Sequence, residues 1–389
     1  MANTQPLRTA FIGLPSTAAY SWGSTVHLPA LLSPTGRSKF RITALLNSSI
    51  PAAEAAIQRF GLDPSTKAYG SPEALAQDKD IDVVICNTRV DKHYKTILPS
   101  VKAGKDVYVE WPIASKIEEI REIVEEAKKS GGRVAVGLQR RWAPEVIKIR
   151  EIIEEGKFGK VLSSEVRVFG GSGDRAAVNE AQKYFIERNV GGNLVTIILA
   201  HLLDFVCSAI GELEPGSVRT KFQRQRPNIG IKDMKSGKIV ETVLSDVPDL
   251  LLLHGSFEQS LITAPSATLS LLLRRGQPFP GTPALSWSIN LEKGELRLIG
   301  PSNASLTWGS KGGVSIQIHH YETDELEDVA WTLGENEREM SEAVVNISRV
   351  LYAFADGKPE GEGWLGLEEA ARRAEQINSF LEEWVRRQA

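Results

Sequence analysis

Hydrophobic residues in the first third of the chain follow two alternating patterns. Short runs rich in β-branched residues, such as "TAFIG", "ITALLN", "DVVICNT", "DVYVEWP" and "RVAVGLQRR", indicate buried strands. Between them, "PAAEAAIQRFG" and "SKIEEIREIVEEAKKSGG" have apolar residues at helical spacing and end at glycine. Strands alternating with helices in this way predict an α/β fold with a doubly wound parallel sheet.

The pattern changes after about residue 161. Longer strand-like runs follow, including "VLSSEVRVFG", "ATLSLLLRRG" and "LSWSINLEKGELRLIG", and two amphipathic helical segments close the chain. We therefore predict a C-terminal α+β domain with a large, mostly antiparallel open sheet. The predicted domains cover residues 1–137 and 138–389, with the C-terminal helices packing back on the first domain.

Composition argues against nucleic-acid binding and against a membrane protein. Lys plus Arg total 46 and Asp plus Glu total 49, so the net charge is −3, without the basic excess typical of a nucleic-acid binder. The longest apolar run, "GNLVTIILAHLLDFVCSAIG", contains Asn193, His201 and Asp204, which indicates a buried helix. No signal-peptide pattern is seen and both cysteines lie in apolar stretches, so we expect a cytoplasmic protein with reduced thiols.

The loop after the first strand, "FIGLPSTAAYSWGST", raises the question of nucleotide binding. A dinucleotide site needs glycines there so that phosphate oxygens can approach the backbone at a helix N-terminus. Gly13 is present, Pro15 stands where a second glycine is expected, and the next glycine is Gly23. Two interpretations stay open on this loop alone: a turn that binds nothing, or a pyrophosphate site. The second would use these residues: Gly13, Leu14, Ser16, Thr17 and Ser24.

The end of the second strand bears on which nucleotide would bind. NAD sites usually carry Asp or Glu at this point to hold the ribose 2′-hydroxyl. Here the strand ends with Asn47, Ser48 and Ser49, so no carboxylate would repel a 2′-phosphate. We therefore predict NADP(H) as the preferred cofactor, with NAD(H) as the alternative. Arg59 lies too far along its helix to be assigned.

Residues 86–114, "CNTRVDKHYKTILPSVKAGKDVYVEWPIA", contain a more specific pattern. A strand ending near Thr88, then His93, then "AGK", then Glu-Trp-Pro at 110–112 resembles the glucose-fructose oxidoreductase/inositol dehydrogenase/MocA family. The resemblance extends over nearly the whole chain. It implies an N-terminal Rossmann domain, a small-molecule substrate, and an open C-terminal sheet that packs against a second subunit, hence a homodimer or higher homo-oligomer. The family positions near the cofactor correspond to Asn87, Thr88, His93, Glu110, Trp111, Pro112 and Arg141.

A fungal branch of that family is the most similar. The extended first loop with "HLPAL", the strand "ITALLNSS" and the motif "VEWPIA" resemble the galactose-pathway repressor, which keeps a dinucleotide site but regulates transcription. Family membership alone therefore does not decide between an enzyme and a regulator. A regulator would place the protein in the nucleus as well.

The catalytic groups of the family are only partly present. Trp111 replaces the lysine that stands beside the nicotinamide, and Ile197 replaces an aspartate four residues before a histidine. That histidine is retained as His201, with Asp204 on the same helical face. We interpret His201 as the acid or base and Asp204 as the group that orients its ring. The alternative is a packed core histidine.

Other candidate ligand contacts are weaker. Trp111 either stacks beside the nicotinamide or substrate or fills the volume of the missing lysine. The predicted substrate contacts are Trp111, Tyr184, Arg188, Asn193 and His201. His319 and His320 show no carboxylate or thiol at ligand spacing, so no metal site is predicted.

The sequence supports two functional hypotheses. The first is an NADPH-preferring oxidoreductase that acts on a small polar carbonyl, a sugar-like alcohol or an imine, with His201 as acid or base. The second is a non-catalytic, dinucleotide-binding transcriptional regulator that works through protein contacts. A third reading, a chain that keeps the fold but binds no nucleotide, has less support.

Overall fold

The computed structural model describes residues 5–17, 21–170, 174–301 and 313–388. The chain divides into two compact units. The first contains residues 1–139 and 343–375, and the second contains residues 140–342 and 376–389.

The first unit is built on a seven-stranded sheet. The strand order is β18-β6-β5-β4-β1-β2-β3, in which the six N-terminal strands are parallel and the short β18 is antiparallel. This order reverses at β1, which is the doubly wound arrangement that binds nucleotides at the carboxyl ends of its strands. The strands are β1 (Leu7–Ile12), β2 (Phe40–Leu46), β3 (Lys67–Tyr69), β4 (Val83–Cys86), β5 (Asp106–Glu110), β6 (Val134–Gly137) and β18 (Leu365–Gly366).

Helices connect these strands, and their starts follow local capping chemistry. Ser49 and Ser71 accept backbone N–H bonds from Ala52 and Ala74 at 3.3 Å, so each serine begins a helix. A π-helical segment, Gly23–His27, precedes the first α-helix. The α-helices of this unit are α1 (Leu28–Leu32), α2 (Pro34–Lys39), α3 (Ile50–Arg59), α4 (Pro72–Gln77), α5 (Val90–Lys102), α6 (Ile117–Ser130), α9 (Glu342–Ala355) and the first half of α10 (Leu367–Arg386).

The second unit contains an eight-stranded sheet and a three-stranded sheet. The large sheet has the order β17-β16-β15-β14-β7-β13-β12-β9, with only β7 and β13 parallel, and the small sheet has the order β11-β10-β8. The helices α7 (Pro144–Glu154) and α8 (Ala200–Ile210) complete the unit. The strands are β7 (Val161–Gly170), β8 (Ala177–Asn179), β9 (Arg219–Gln223), β10 (Asn228–Lys232), β11 (Ile239–Leu244), β12 (Leu250–Ser256), β13 (Thr263–Arg275), β14 (Leu285–Leu291), β15 (Gly294–Gly300), β16 (Ser315–His320) and β17 (Glu325–Asp328).

The large sheet has one buried face and one solvent-facing face. Along β14, Leu285, Trp287, Ile289 and Leu291 are buried while the serines between them are half-buried. This period-two alternation is what an antiparallel sheet with a single apolar face requires. Phe205 of α8 packs on Trp287 with ring centroids 5.4 Å apart, so α8, the central helix of this unit, lies on the apolar face.

The predicted fold class is confirmed, with local corrections. The run "LSWSINLEKGELRLIG" forms two strands, β14 and β15, joined by a tight turn at Glu292 and Lys293. The predicted strand "RVAVGLQRR" stops at Gly137 and continues as a 3₁₀ turn. The small sheet was not predicted, because its strands are short and β11 is exposed over most of its length. The first half of α10 and all but the first residue of α9 belong to the first unit.

No helix among the described residues is both long enough and apolar enough to cross a bilayer. Cys86 and Cys207 are both buried.

The core of the second unit gives a stability prediction. Trp287 is fully buried and its indole N–H donates to Ser164 Oγ at 2.9 Å. Replacing Trp287→Phe leaves that buried hydroxyl without its donor and opens a cavity, so we expect a loss of about 2–4 kcal/mol in the free energy of unfolding. Urea unfolding followed by far-UV circular dichroism measures it. Ser288→Ala, on the other face of the same strand, should change stability by less than about 0.5 kcal/mol.

Candidate functional site

The turn after β1 is tied to the end of β2. Gly13 has φ +91°, a left-handed conformation that only glycine adopts without strain. Its N–H donates to Leu46 O at 3.2 Å. Leu14 N–H donates to Asn47 Oδ1 at 3.2 Å, and Asn47 Nδ2 donates back to Leu14 O at 2.9 Å. The backbone at residues 13–14 is therefore fixed at the sheet edge where a nucleotide pyrophosphate is expected.

Gly23 completes a glycine pair that the sequence separates. A β-carbon on Gly23 would overlap Asn87 Oδ1 and lie 3.1 Å from Gly13 O. The start of the π-helical segment thus packs directly on the ends of β1 and β4, a close approach that a side chain would prevent. In nucleotide-binding turns the third glycine has this role of close helix–strand packing. The glycine pattern is interrupted in sequence by the insertion but present in space.

The polar residues after β2 contribute less than predicted. Asn47 Nδ2 donates to Leu14 O and to Ala52 O at 3.1 Å, and its Oδ1 accepts from Leu14, so its side chain is occupied by the protein itself. The prediction that Asn47 donates to a 2′-phosphate is therefore wrong for this conformation. Ser48 and Ser49 are both exposed, and Ser49 Oγ accepts the capping bond of α3, which leaves its hydroxyl proton available.

Arg59 is a residue that the sequence analysis left unassigned. Its guanidinium reaches back from the end of α3 and donates to the backbone oxygen of Ser16 in the first loop. A cation therefore stands beside that loop. Helix periodicity gave no signal for this contact, because Arg59 and Ser16 are far apart in sequence and the loop has no regular repeat.

Asn87 and Thr88 end β4 next to the glycine pair. Asn87 Nδ2 donates to Ile12 O at 3.1 Å, while its Oδ1 is buried and has no hydrogen-bond partner among the described residues. Buried acceptors are rarely left unpaired, so this oxygen is a candidate ligand contact. Thr88 is half-buried against Gly13, where an added β-carbon would lie 2.7 Å from Thr88 Cγ2.

His93 has a structural position. Its Nδ1 lies 2.8 Å from Pro112 O and its Nε2 lies 2.7 Å from Thr88 O, so both ring nitrogens face backbone carbonyls. Burial lowers the pKa of His93 and outweighs these carbonyls, which favour the protonated ring. His93 therefore ties the loops after β4 and β5 together. The prediction that its side chain binds the cofactor directly is not supported by this geometry.

Glu110 is the acceptor of a buried polar cluster. Its Oε1 accepts from Trp22 Nε1 at 2.9 Å, from His27 Nε2 at 2.6 Å and from the Tyr108 hydroxyl at 3.1 Å. Burial and the Glu110 charge raise the pKa of Tyr108 well above its usual value, so the phenol keeps the proton it donates. Glu110 had been predicted to contact the cofactor. The structure directs its carboxylate to the first loop and to its own strand.

Trp111 and Pro112 are buried after β5. Trp111 is only 6% exposed, which favours the interpretation that its ring fills volume over the alternative of an open stacking surface. Pro112 acts through its carbonyl, which faces the ring of His93.

In the second unit, Asn193 begins the central helix. Its Oδ1 accepts from the N–H groups of Val195 and Thr196 at 2.9 and 3.1 Å, and Thr196 Oγ1 accepts from Asn193 N–H. This capping box explains why Asn193 is fully buried. Its Nδ2 has no partner in the described part of the chain. The helix starts with a π-helical segment, Leu194–Leu199, of the kind often found at functional sites.

His201 follows that segment as a buried, neutral ring. It is 4% exposed, and its Nδ1 has no hydrogen-bond partner within the described ranges. Burial, and then the charge of Arg140, hold the pKa of His201 well below its usual value. In the unfolded chain this histidine is protonated as the pH falls below about 6.5, whereas the buried ring of the folded protein stays neutral. The free energy of unfolding therefore decreases as the pH falls through that region.

Asp204 does not orient His201, contrary to the prediction. Its two carboxylate oxygens accept from Arg141 Nε at 2.9 Å and Nη2 at 2.5 Å, in a bidentate pair whose side chains are 8% and 1% exposed. The same pairing engages Arg141, which had been predicted to contact the cofactor. The prediction rested on the spacing of Asp204 and His201 along one helix. That spacing contains no information about Arg141, which lies 63 positions away in sequence.

The other predicted substrate residues are partly engaged elsewhere. Arg188 N–H donates to Asp246 Oδ1 at 2.6 Å and its side chain lies 3.8 Å from the same carboxylate. Tyr184 is half-buried with its ring edge on Phe185. A small depression adjoins these segments and was not predicted; its lining residues are Phe185, Leu194, Val247, Pro248 and Arg275.

His319 and His320 do have carboxylate neighbours, which the sequence analysis missed. Across the β16–β17 hairpin, His319 Nε2 lies 2.7 Å from Asp324 and His320 Nε2 lies 2.8 Å from Glu327. These are separate pairs. Within the described residues no group of three or more His, Cys, Asp or Glu side chains is placed to hold a metal.

Comparison with protein-family models gives two matches. The model described as "Oxidoreductase family, NAD-binding Rossmann fold" matches residues 7–138, and that described as "Gal80p, C-terminal domain" matches residues 144–300.

Two curated relatives carry different kinds of function. The dehydrogenase aclE of Aspergillus oryzae is 32% identical over 298 residues, 76% of this chain and 77% of that protein. The galactose/lactose metabolism regulatory protein GAL80 of Saccharomyces cerevisiae is 28% identical over 305 residues, 77% of this chain and 68% of that protein.

Solved structures show the same fold at low identity. A super-repressor mutant of Gal80p from Saccharomyces cerevisiae has a TM-score of 0.83 at 23% identity, covering 97% of this chain and 95% of that chain. A levoglucosan dehydrogenase in complex with NADH and levoglucosan has a TM-score of 0.72 at 17% identity, covering 97% and 96%. At these identities the likeness shows the fold alone.

The Arg141–Asp204 pair gives a prediction that separates stability from chemistry. Asp204→Asn removes the carboxylate charge from a buried bidentate pair with Arg141, so we expect a loss of about 3–5 kcal/mol in the free energy of unfolding, measured by urea denaturation. Asp246→Asn, at the more exposed pair with Arg188, should cost less than about 1 kcal/mol. Unchanged stability in Asp204→Asn would contradict the structural role.

Proposed function

This chain belongs to the oxidoreductase family with an NAD-binding Rossmann fold, and on that premise we propose that it is an NADP(H)-preferring oxidoreductase. The resemblance to this family seen at residues 86–114 is thereby confirmed, and residues 144–300 also match the model of the Gal80p C-terminal domain. The proposed reaction transfers hydride to or from a small polar carbonyl, a sugar-like alcohol or an imine. The observation that carries it is the close approach of Gly13 and Gly23 at the ends of β1 and β4, the helix–strand packing that a nucleotide-binding turn requires, formed here despite the long loop.

The residues at this turn fit a dinucleotide. A β-carbon at Gly13 would collide with Thr88 and one at Gly23 with Asn87, so this close packing needs glycine at both positions. The buried Asn87 Oδ1 has no partner within the described residues, and a ribose hydroxyl or a carboxamide N–H would satisfy it. The hydroxyl groups of the half-buried Ser16 and the exposed Thr17 would supply further donors for phosphate oxygens. A bound nicotinamide nucleotide supplies or accepts the hydride.

The NADP(H) preference rests on charge near the first loop. No carboxylate ends β2, and Ser48 and Ser49 are exposed there. Arg59, bonded to Ser16 O, brings a guanidinium to the loop. Guanidinium groups bind phosphate through charge-assisted hydrogen bonds, so Arg59 would favour a 2′-phosphate over a free ribose hydroxyl.

His201 would handle the substrate proton. With its proton on Nε2, the neutral ring presents Nδ1 as an unpaired acceptor, able to take a hydrogen bond or a proton from a substrate hydroxyl. Its depressed pKa makes it a weak base. A substrate that needs little base assistance, such as an imine or an activated carbonyl, suits this group best. Asn193 Nδ2 is a second unpaired polar atom available to a substrate.

A second candidate function is a dinucleotide-binding transcriptional regulator. Specific observations favour it: the Gal80p C-terminal model matches residues 144–300, and the family lysine and aspartate are replaced by Trp111 and Ile197. Such a protein would bind the nucleotide without turning over a substrate and would act through protein partners. It would be found in the nucleus as well as the cytoplasm.

We also propose a homodimer formed through the large sheet. The face of that sheet opposite its apolar core is mixed: it carries hydroxyl, apolar and charged residues, including Ser163, Ser270, Ser288, the exposed Leu252, Glu165 and Arg167. Protein–protein interfaces have a comparable mixture of polar and apolar surface, so we assign this eight-stranded face to contact with a second copy of the chain.

Nucleotide titration tests the cofactor proposal. We expect NADPH to bind at least about 10-fold more tightly than NADH, followed by nucleotide fluorescence. Arg59→Ala should weaken NADPH binding by about 10–100-fold, the loss of one or two charge-assisted hydrogen bonds, and change NADH binding by less than about 2-fold.

Arg41→Ala, an exposed arginine on β2, is the matched control and should leave both affinities unchanged. Equal losses for both nucleotides in Arg59→Ala would contradict a 2′-phosphate contact. Absence of binding to either nucleotide would remove both the oxidoreductase and the nucleotide-binding regulator.

Turnover separates enzyme from regulator. Screening NADPH oxidation with sugars, ketones and cyclic imines, and NADP⁺ reduction with alcohols, should reveal activity that falls about 10²–10⁴-fold in His201→Ala with NADPH affinity unchanged. His320→Ala, a histidine of the same unit that pairs with Glu327, is the control. Undiminished turnover in His201→Ala would refute its role, and nucleotide binding without any turnover would favour the regulator.

A further inference from the structure

We infer that Glu110 positions the nucleotide-binding loop through Trp22 and His27, which makes these three side chains positioning residues for nucleotide affinity. The inference rests on the proposed nucleotide binding and adds a specific determinant to it. None of the three needs to touch the nucleotide.

One carboxylate oxygen accepts hydrogen bonds from both ends of a single helical segment. Trp22 immediately precedes the π-helical segment Gly23–His27, and His27 is its last residue. Their ring N–H groups donate to the same atom, Glu110 Oε1, at 2.9 and 2.6 Å. Two bonds from opposite ends of a five-residue segment fix its position and its rotation relative to β5.

Burial strengthens the hydrogen bonds of Trp22 and His27 to Glu110. The His27 side chain is 0% exposed and that of Glu110 is 11% exposed. The rings of Phe11 and Tyr108 lie against His27 at centroid distances of 6.3 and 5.4 Å, so water has little access. In such surroundings a charge-assisted hydrogen bond is stronger than at the surface, and a deleted donor is not replaced by solvent.

Gly23 connects this segment to the nucleotide-binding turn. Gly23 lies between the two anchored side chains, and its backbone packs on Asn87 Oδ1 and Gly13 O. A shift of the segment by about 1 Å therefore moves one wall of the turn, which is enough to change binding geometry substantially. The path from Glu110 to the turn is a direct series of contacts through Trp22, His27 and Gly23.

Glycine at position 137 leaves room for the Glu110 carboxylate. A β-carbon at Gly137 on the neighbouring strand would lie 2.7 Å from Glu110 Oε2 and from the Tyr108 hydroxyl. An apolar residue at position 110 would satisfy the core at lower desolvation cost, since buried charges are often replaceable by hydrophobic side chains without loss of stability. We therefore assign the carboxylate at position 110 the role of fixing the position of the first loop.

The experiment compares Trp22→Phe and Glu110→Gln with a control on the same strand. Trp22→Phe keeps the ring and removes only the N–H donor, and Glu110→Gln keeps an acceptor oxygen but removes the charge. We expect each to weaken binding of NADPH and of NADH by the same factor, about 5–20-fold, with a melting temperature within about 3 °C of wild type. The double variant should lose little more than the larger single effect, because the two changes act on one interaction.

Asp106→Asn is the matched control. Asp106 begins β5 and pairs with Arg133 Nη2 at 2.5 Å, away from the first loop. It should lower the melting temperature and leave nucleotide affinity unchanged. Amide hydrogen exchange of residues 21–27 should increase in Trp22→Phe and not in Asp106→Asn.

The outcomes separate this inference from the proposed function. Wild-type protein that binds neither nucleotide overturns both. Wild-type binding with equal affinity in Trp22→Phe and Glu110→Gln overturns the inference alone. A loss confined to NADPH also overturns it, because a shared loop serves both nucleotides, whereas the effect of Arg59→Ala is specific to the 2′-phosphate.

Discussion

The position of the first loop depends on a single buried carboxylate oxygen. Oε1 of Glu110 receives hydrogen bonds from Trp22, His27 and Tyr108, and so joins a long insertion to the central strand β5. In a short glycine-rich loop, chain length alone keeps the helix near the strand end. Here the insertion separates Gly13 from Gly23, and loop-closure entropy opposes their approach. Buried hydrogen bonds of this kind offset that cost and bring the two glycines together.

The sequence predicted the fold well because periodicity reports burial. Five of the six parallel strands are short apolar runs with β-branched residues, whereas β3 has none and was not predicted. In the large sheet, buried and less buried positions alternate along β14, as Leu285, Trp287 and Ile289 illustrate. The small sheet escaped prediction because β11 is exposed on both faces and gives no alternation. The π-helical start of the central helix was equally invisible, since its apolar residues also fit an α-helix.

The site was predicted by location but not by partner. Residues at the carboxyl ends of strands were correctly placed near one another, because parallel topology brings those ends to one edge. What each side chain bonds to was not predictable: Asp204 pairs with Arg141, His93 faces two carbonyls, and Asn47 folds back on its own loop. These partners come from other elements, and neither spacing nor residue type identifies them.

The predicted residues are of two kinds, according to whether their buried polar atoms have hydrogen-bond partners in the protein. Asp204 accepts hydrogen bonds from Arg141 and both ring nitrogens of His93 lie against backbone carbonyls, which indicates structural roles. Asn87 Oδ1, Asn193 Nδ2 and His201 Nδ1 are buried with no partner in the described ranges, a costly state that a ligand would relieve. Asn87 belongs to the nucleotide-binding unit, and the other two belong to the unit that would hold the substrate. In the proposed function, nucleotide binding and proton transfer would therefore depend on separate groups, and replacing the family lysine and aspartate would not by itself remove the groups proposed to recognise a nucleotide.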